Sequence, residues 1–139
     1  MSNVFHRFFA DQEHEESFNS CCKALNTDVS GDRDCFLLLF LLSSISDGDS
    51  IRQIVTKEYG NLRIRPSAIH EGWVKGGSAR IIRLAFHLFN YGCPTANDLE
   101  GEEELRETRK YLPMEVLTGL DQRLSTVALN ALSILISWN

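Results

Sequence analysis

Four polar side chains in one segment have the types and spacing to bind an anion. They are Arg80, Arg83, His87 and Asn90. Because they recur every three or four residues, an α-helix would carry all four on one side. Two guanidinium groups one turn apart can hold a carboxylate or phosphate through paired hydrogen bonds. The pattern predicts an anion-binding stripe. The alternative is that these residues are the ordinary polar face of a core helix, with its arginines paired to acids further along the chain.

A glycine-rich turn precedes this helix and could extend the same site. Gly76 and Gly77 lead into Ser78, which the pattern predicts as the N-cap of a helix from Ala79 to about Tyr91. Free N–H groups at a helix N-terminus attract anions, so one ligand could use both the turn and the stripe. The lysine precedes the glycines here, whereas a Walker-type phosphate loop needs the opposite order. A nucleotide site of that type is therefore excluded.

Two other residue types could do chemistry, and each also has a structural interpretation. Trp73, beside the glycines, could stack on a ligand or anchor the loop. His14 shares a helical stripe with Phe18 and Cys21, so it could pair with a thiol or be a hydrogen-bonded core residue. Cys21 and Cys22 are adjacent and lack the two-residue spacing of zinc and redox motifs. We predict no metal site and no cofactor.

Sequence signatures of hydrolases are missing from the chain. There is no H-E-x-x-H and no G-x-S-x-G, and the turn at residues 47–49 has too few oxygens at the right offsets for a calcium loop. The acids and the other histidines are scattered. An enzyme is therefore not supported, although the sequence does not decide the question.

The elements that must position these residues are mostly helical. With 139 residues and 43% apolar side chains, the chain is expected to form a single domain over residues 1–139, a bundle of about five to seven helices. The apolar run from Cys35 to Leu42 suits a buried helix or a buried strand, and its leucine content favours the helix. The expected elements are helices at Asp11–Leu25, Asp32–Ser46, Ile51–Tyr59, Ala79–Tyr91, 98–112 and Asp121–Trp138, with an extended segment at Leu62–Arg65.

Charge and apolar runs limit the classes of partner. The formal charge of −5 and a pI near 5.3 oppose binding to nucleic acid, although several cations fall together between Arg63 and Arg83. The first residues carry acids where a secretory leader would be apolar. The longest apolar run is about eight residues, far short of the roughly 20 that span a membrane. We expect a cytoplasmic protein with free thiols.

One stretch resembles a known family. Residues Gly72 to Gly92 read GWVKGGSARIIRLAFHLFNYG, and with the early Phe9-Ala10-Asp11 and the run Cys35 to Leu42 they resemble an uncharacterised family of small bacterial proteins. That family is a domain of unknown function. The resemblance covers roughly residues 5 to 95. It implies a compact helical fold and occurrence in bacteria, including their mobile elements, and it implies no activity and no functional residues.

These features favour a small non-enzymatic protein that binds another protein. A regulator, an antitoxin-like partner or an inhibitor would suit a mobile element. The alternative is a small-molecule or anion binder that uses the turn at Gly76–Ser78 and the stripe that follows. The C-terminal helix has a wide apolar face ending near Ile136 and Trp138, which leaves a homodimer open.

Overall fold

Helices dominate the described structure. The computed structural model describes residues 3–58, 60–65, 67–68, 71–89 and 117–138. Two short 3-10 helices cover Asn3–Phe8 and Ile51–Gln53. The remaining elements are α1 (Gln12–Ala24), α2 (Arg33–Leu42), β1 (Val55–Glu58), β2 (Asn61–Ile64), α3 (Gly77–Phe89) and α4 (Gln122–Ser137). The mostly helical class is confirmed. The described ranges hold four α-helices rather than five to seven, and the helix expected at 98–112 lies outside them.

The chain divides into two compact units. One comprises Met1–Ile51 together with Asp121–Asn139, and the other comprises Arg52–Leu120. The first contains α1, α2 and α4, and the second contains the two strands and α3. That all 139 residues form one domain stays a prediction.

Three helices of the first unit begin at an aspartate. Asp11 and Asp121 are the N-caps that the sequence predicts, and of the two candidates Asp32 and Asp34 for the second helix the structure uses Asp32. The side chains of Asp11, Asp32 and Asp121 accept hydrogen bonds from the third residue after each, at 2.8, 3.0 and 2.8 Å. This bond satisfies one of the N–H groups that every helix start leaves without an intrahelical acceptor. Helix starts at these positions are therefore encoded locally.

Helix α2 is the buried centre of the first unit. Every side chain from Phe36 to Leu42 is buried, which settles the choice between helix and strand in favour of the helix. It packs against α1 and α4. Helix α4 contributes its own buried row to this unit, made of Leu124, Val127, Ala128, Ala131 and Ile134.

The prediction of a helix over Ile51–Tyr59 was wrong. Only Ile51–Gln53 is helical, and Val55–Glu58 forms a strand that pairs antiparallel with Asn61–Ile64, with Val55 opposite Ile64 and Glu58 opposite Asn61. The β-branched residues there suit a strand, and the pairing leaves a two-residue connection at 59–60. Gly60 has a φ of +83°, which such a connection needs. The extended segment predicted at Leu62–Arg65 is confirmed by β2.

Gly60→Ala should destabilise the hairpin. A side chain at this left-handed φ costs about 1–2 kcal/mol, although the added methyl would meet no neighbouring atom. Gly31→Ala is the matched control, since Gly31 also has open space around it and no positive φ. Thermal unfolding and amide exchange along β1 and β2 measure the effect. Equal losses in both variants would contradict a conformational role for Gly60.

Candidate functional site

The predicted anion site begins differently from the expectation. Helix α3 starts at Gly77, and the carbonyl of Gly76, at a φ of +57°, accepts the Arg80 N–H at 3.2 Å. Ser78 therefore lies inside the helix, and its predicted N-cap role was wrong. Its hydroxyl instead donates to the Lys75 carbonyl and accepts the Lys75 N–H, both at 2.9 Å. The Ser78 hydroxyl, which was expected to cap α3, therefore stabilises the turn before the helix.

The arginines of the stripe are partly withdrawn from solvent. Arg80 and Arg83 are both half-buried, and the Nε atom of Arg83 is buried. The Arg80 guanidinium lies so close to the backbone of Gly119 that a Cβ at this glycine would collide with it. The aliphatic part of an arginine side chain packed in this way can stabilise the fold in addition to its charge. The side chain of His87 and all of Asn90 lie outside the described residues.

Trp73 holds the loop before α3. It is half-buried, and its indole Nε1 donates to the Gln53 side-chain oxygen. Successive bonds between residues three apart build the turns around it, from Ala68 to Arg65, Glu71 to Ala68 and Val74 to Glu71. This arrangement fits the loop-anchoring alternative for Trp73.

The basic stretch seen in the sequence belongs to the second unit. Residues 52–89 carry seven Lys and Arg against two Glu. Arg63 lies opposite Thr56 in the hairpin, is half-buried and has a buried Nε. The stretch is cationic in composition, but four of its five arginines, Arg63, Arg65, Arg80 and Arg83, are half-buried.

His14 is a core residue with both ring nitrogens satisfied. Nδ1 accepts the Ala10 N–H at 3.0 Å, so Nε2 carries the proton and donates to the Phe40 carbonyl at 2.8 Å. The rings of Phe9 and Phe40 lie 5.0 and 4.8 Å from the imidazole. Burial lowers the pKa of His14 below its ordinary value, and the charge of Arg123 lowers it further. The structure therefore supports the interpretation of a neutral core histidine.

Asp11 joins the two ends of the first unit. Besides capping α1, its carboxylate accepts from Arg123 Nε at 2.9 Å, while Arg123 Nη1 donates to the Ser44 carbonyl at 3.0 Å. Hydrogen bonds from Arg123 and from the His14 N–H lower the pKa of Asp11 to about 2. The N-cap role of Asp11 is predicted by the local sequence. Its pairing with Arg123 is not, because no local pattern joins positions 112 residues apart.

An open cleft lies beside this pair. Its volume is about 460 Å³, and His6 Nδ1 meets Glu15 Oε2 at 2.7 Å on its wall. The wall is polar except for one phenylalanine, and its charged groups have partners: His6 meets Glu15, Asp11 binds Arg123, and Arg7 lies over the ring of Phe8. The lining residues are His6, Arg7, Phe9, Asp11, Gln12 and Glu15.

The thiols of α1 are poor nucleophiles. Burial raises the pKa of Cys21 to about 12 and that of Cys22 to about 11, so both are protonated near neutral pH. Cys21 Sγ faces the Ser46 carbonyl at 3.8 Å. Like Cys35, these cysteines are not in disulfides, and the described residues contain no group of three or more His, Cys, Asp or Glu placed to hold a metal ion.

Among the described side chains, the large apolar ones that are exposed lie on the outer side of α4. Leu129 is 62% exposed and Ile136 is 84% exposed. They are seven residues apart and so lie on the same side of the helix, with Leu132 and Ser133 between them. We call these four residues the outer face of α4. From Leu124 to Ser137 the helix contains no charged residue.

Comparisons with known proteins give one match. A model of a family of unknown function, DUF6075, matches residues 5–132. Neither the curated proteins nor the solved structures contain a significant match. Among the described helices, none is long and apolar enough to cross a membrane.

The stability of the protein should fall as the pH drops below about 6.5, the ordinary pKa of histidine. His14 has a lowered pKa in the folded state, so the unfolded chain binds the proton more readily and acid favours unfolding. Protonation would also turn Nδ1 into a donor facing the Ala10 N–H. The measurement is the free energy of unfolding by urea from about pH 8 to pH 5.

Two variants isolate the contribution of His14 to this slope. His14→Gln keeps a hydrogen-bond donor and acceptor without titrating, so it should flatten the pH dependence. Asn19→Gln changes an exposed, non-titrating residue of the same helix and should keep the wild-type slope. A wild-type slope in His14→Gln would assign the effect to another group.

Asp11→Ala should cost more stability than Asp32→Ala. Both remove an N-cap, worth about 0.5–2 kcal/mol, but only Asp11 also pairs with Arg123, which adds about 0.2–1 kcal/mol for an exposed pair. Urea unfolding at neutral pH measures the difference. Because the pKa of Asp11 is lowered, this contribution is present above about pH 4 and is lost as the pH falls toward 2. Equal costs at neutral pH would assign no net stability to the ion pair.

Proposed function

The chain belongs to DUF6075, a family of unknown function, and from that premise we propose that it is a small non-enzymatic protein that binds another protein through the outer face of α4. The exposure of Leu129 and Ile136 on one side of a helix that has no charged residue from Leu124 to Ser137 carries the proposal. Exposed apolar side chains that line up on one surface are typical of protein interaction sites. A regulatory or inhibitory role, in a bacterium or its mobile elements, is part of the same proposal.

The energy available at this face is large enough to matter. Burying one Leu or Ile side chain contributes about 1.5–3 kcal/mol. Leu129 and Ile136 are exposed, so most of this free energy would be gained only when a partner covers them. Apolar anchors surrounded by small polar residues resemble the centre of a protein interface. A partner that covers both side chains would gain this energy without first having to desolvate a charge.

Other candidate sites have less support as the main function. In the α3 stripe, Arg80 and Arg83 are half-buried and both already have interactions, and the Arg80 guanidinium lies against Gly119, so an anion would have to compete with these contacts. The thiols of α1 have raised pKa values, and His14 has both nitrogens bonded. These observations favour structural roles for the residues that could otherwise do chemistry.

Affinity capture with a tagged protein tests the proposal. The wild type should retain a specific protein from a lysate of its native cells, and Leu129→Glu/Ile136→Glu should lose it, because two carboxylates would then have to be desolvated. Crosslinking of the captured complex should place the contact on α4. Both positions are exposed, so the variant should keep the wild-type melting temperature.

Two matched controls complete the capture experiment. Asn19→Glu/Ser30→Glu adds the same charge at exposed positions outside α4 and should retain the protein. Arg80→Ala/Arg83→Ala should also retain it. Loss only in the arginine variant, with its fold intact, would move the binding site to the α3 stripe, and retention by all variants would overturn the proposal.

A further inference from the structure

We infer that residues 3–10 form a strap that protonation of His14 releases from the aromatic core of the first unit, while α1, α2 and α4 stay folded. The strap comprises the 3-10 helix Asn3–Phe8 together with Phe9 and Ala10. Its attachment to the helices depends on the neutral form of one imidazole, whereas the contacts among the helices do not. This device is independent of what binds the outer face of α4.

Only one of the two hydrogen bonds of the His14 ring requires a neutral imidazole. Nε2 donates to the Phe40 carbonyl at 2.8 Å, and it can do so whether or not the ring is charged. Nδ1 accepts the Ala10 N–H at 3.0 Å, and a proton on Nδ1 would place one donor against another. Protonation therefore breaks the bond to the strap and leaves the bond to α2 intact.

The strap also keeps water away from the side of the imidazole that would gain the proton. His14 is fully buried, and the ring of Phe9 packs edge-on against it at 5.0 Å. A buried charge without a hydrogen-bonded partner is costly. Movement of Phe9 and Ala10 away from the ring would let water bond to Nδ1. Release of the strap thus relieves both the clash of donors and the cost of desolvation.

The charged groups around His14 act in both directions. Arg123 of α4 opposes a second positive charge, whereas Asp11 and Glu15 favour one, and burial is the largest cause of the lowered pKa of His14. Neither acid bonds to the ring, because its nitrogens are bonded to backbone groups. Helix α2 contributes no charged residue over its buried stretch, residues 36–42.

The cations of the strap itself have only a small effect on its release. His6 Nδ1 meets Glu15 Oε2 at 2.7 Å, and a positive charge on His6 would strengthen this contact. The His6 side chain is 63% exposed, however, and exposed ion pairs contribute little. Arg7 lies over the ring of Phe8, within the strap. Acid therefore acts on the strap mainly through His14.

The strap depends on the core for its structure. Its 3-10 helix is only six residues long, and such helices have poor hydrogen-bond geometry. Asn130 Nδ2 of α4 donates to the Phe8 carbonyl at 2.8 Å. The ring of Phe9 lies 5.3 Å from each of the rings of Phe18 and Phe40. Once Phe9 leaves these rings, we expect residues 3–10 to detach together.

The helices of the first unit have contacts that do not involve the strap. Asp11, directly after the strap, caps α1 and accepts from Arg123 Nε at 2.9 Å. With a pKa of about 2, this carboxylate stays charged at the pH at which a histidine titrates. The buried side chains of α2 pack against α1 and α4. Asp11 is therefore a fixed point from which the strap can open.

Release should increase as the pH falls below about 6.5, the ordinary pKa of histidine. The docked strap lowers the pKa of His14, so docking keeps its full stability above this pH and loses stability below it. Between pH 7.5 and pH 5, the ratio of released to docked strap should rise by up to about 30-fold. Release would uncover the rings of Phe18 and Phe40.

Amide hydrogen exchange of the wild type, corrected for the intrinsic rate at each pH, tests the inference. The Ala10 N–H should open more often than the amides of residues 36–42, and up to about 30-fold more often at pH 5 than at pH 7.5. Low concentrations of urea should barely change its opening, because a local opening exposes little surface. Ala10 opening that is independent of pH would overturn the inference. So would equal protection and equal urea dependence at Ala10 and in α2, since the whole unit would then open at once.

Two variants separate the effect of the proton from the other bonds of the strap. His14→Gln cannot titrate, so it should remove the pH dependence of Ala10 exchange. Asn130→Ala removes the bond to the Phe8 carbonyl and should increase Ala10 opening about 2- to 10-fold at both pH values, with the pH dependence retained. A folded His14→Gln that keeps the pH dependence, or an Asn130→Ala with wild-type exchange at Ala10, would overturn the inference. If His14→Gln does not fold, the measurements on the wild type and on Asn130→Ala decide.

Discussion

The bond network at Asp11 determines how the first unit closes. A single carboxylate caps α1 and binds Arg123 of α4, and the same guanidinium reaches the Ser44 carbonyl just beyond α2. The ion pair itself is worth little, because both partners are partly exposed. The ion pair contributes mainly by fixing geometry, because it aligns the starts of α1 and α4, which are more than one hundred residues apart in sequence. With the helices aligned in this way, the aromatic and leucine side chains can be buried in a single arrangement, and their burial contributes more free energy than the ion pair does.

The histidine beside this network shows how a polar group fits into such a core. His14 lies among phenylalanines, and it is tolerated because each nitrogen has a backbone partner of the right polarity. The Ala10 N–H would otherwise need another acceptor, whereas the Phe40 carbonyl also accepts the Ser43 hydroxyl at 3.2 Å. The arrangement links the segment before α1 to α2 and favours a neutral imidazole. The role of His14 is therefore structural, and the base or ligand chemistry that a histidine could perform is not used.

Features that depend on a few neighbouring residues could be predicted from the sequence, whereas features that depend on tertiary contacts could not. The aspartate caps and the buried leucine run were predicted, since each depends on a few consecutive residues. The strand at Val55–Glu58 was missed because Ile51, Ile54 and Val55 have helical spacing, and only the pairing with β2 reveals the hairpin. The cap assigned to Ser78 failed because its hydroxyl bonds backward to Lys75. Of the predicted site, α3 and its arginines were correctly placed on one helix, but their half-burial and the contact of Arg80 with Gly119 depend on the tertiary structure.

The outer face of α4 differs from the rest of the first unit in that the fold does not explain its composition. Helix α2 needs its leucines and phenylalanines because seven consecutive side chains are buried. Helix α4 already buries a complete row on its inner side, and Lys or Glu would propagate a helix at positions 129 and 136 as well as Leu or Ile does. A single exposed apolar residue is ordinary. Two on the same line of a helix that has no charge from Leu124 to Ser137, in a unit rich in acids, support the proposal that this face binds a partner.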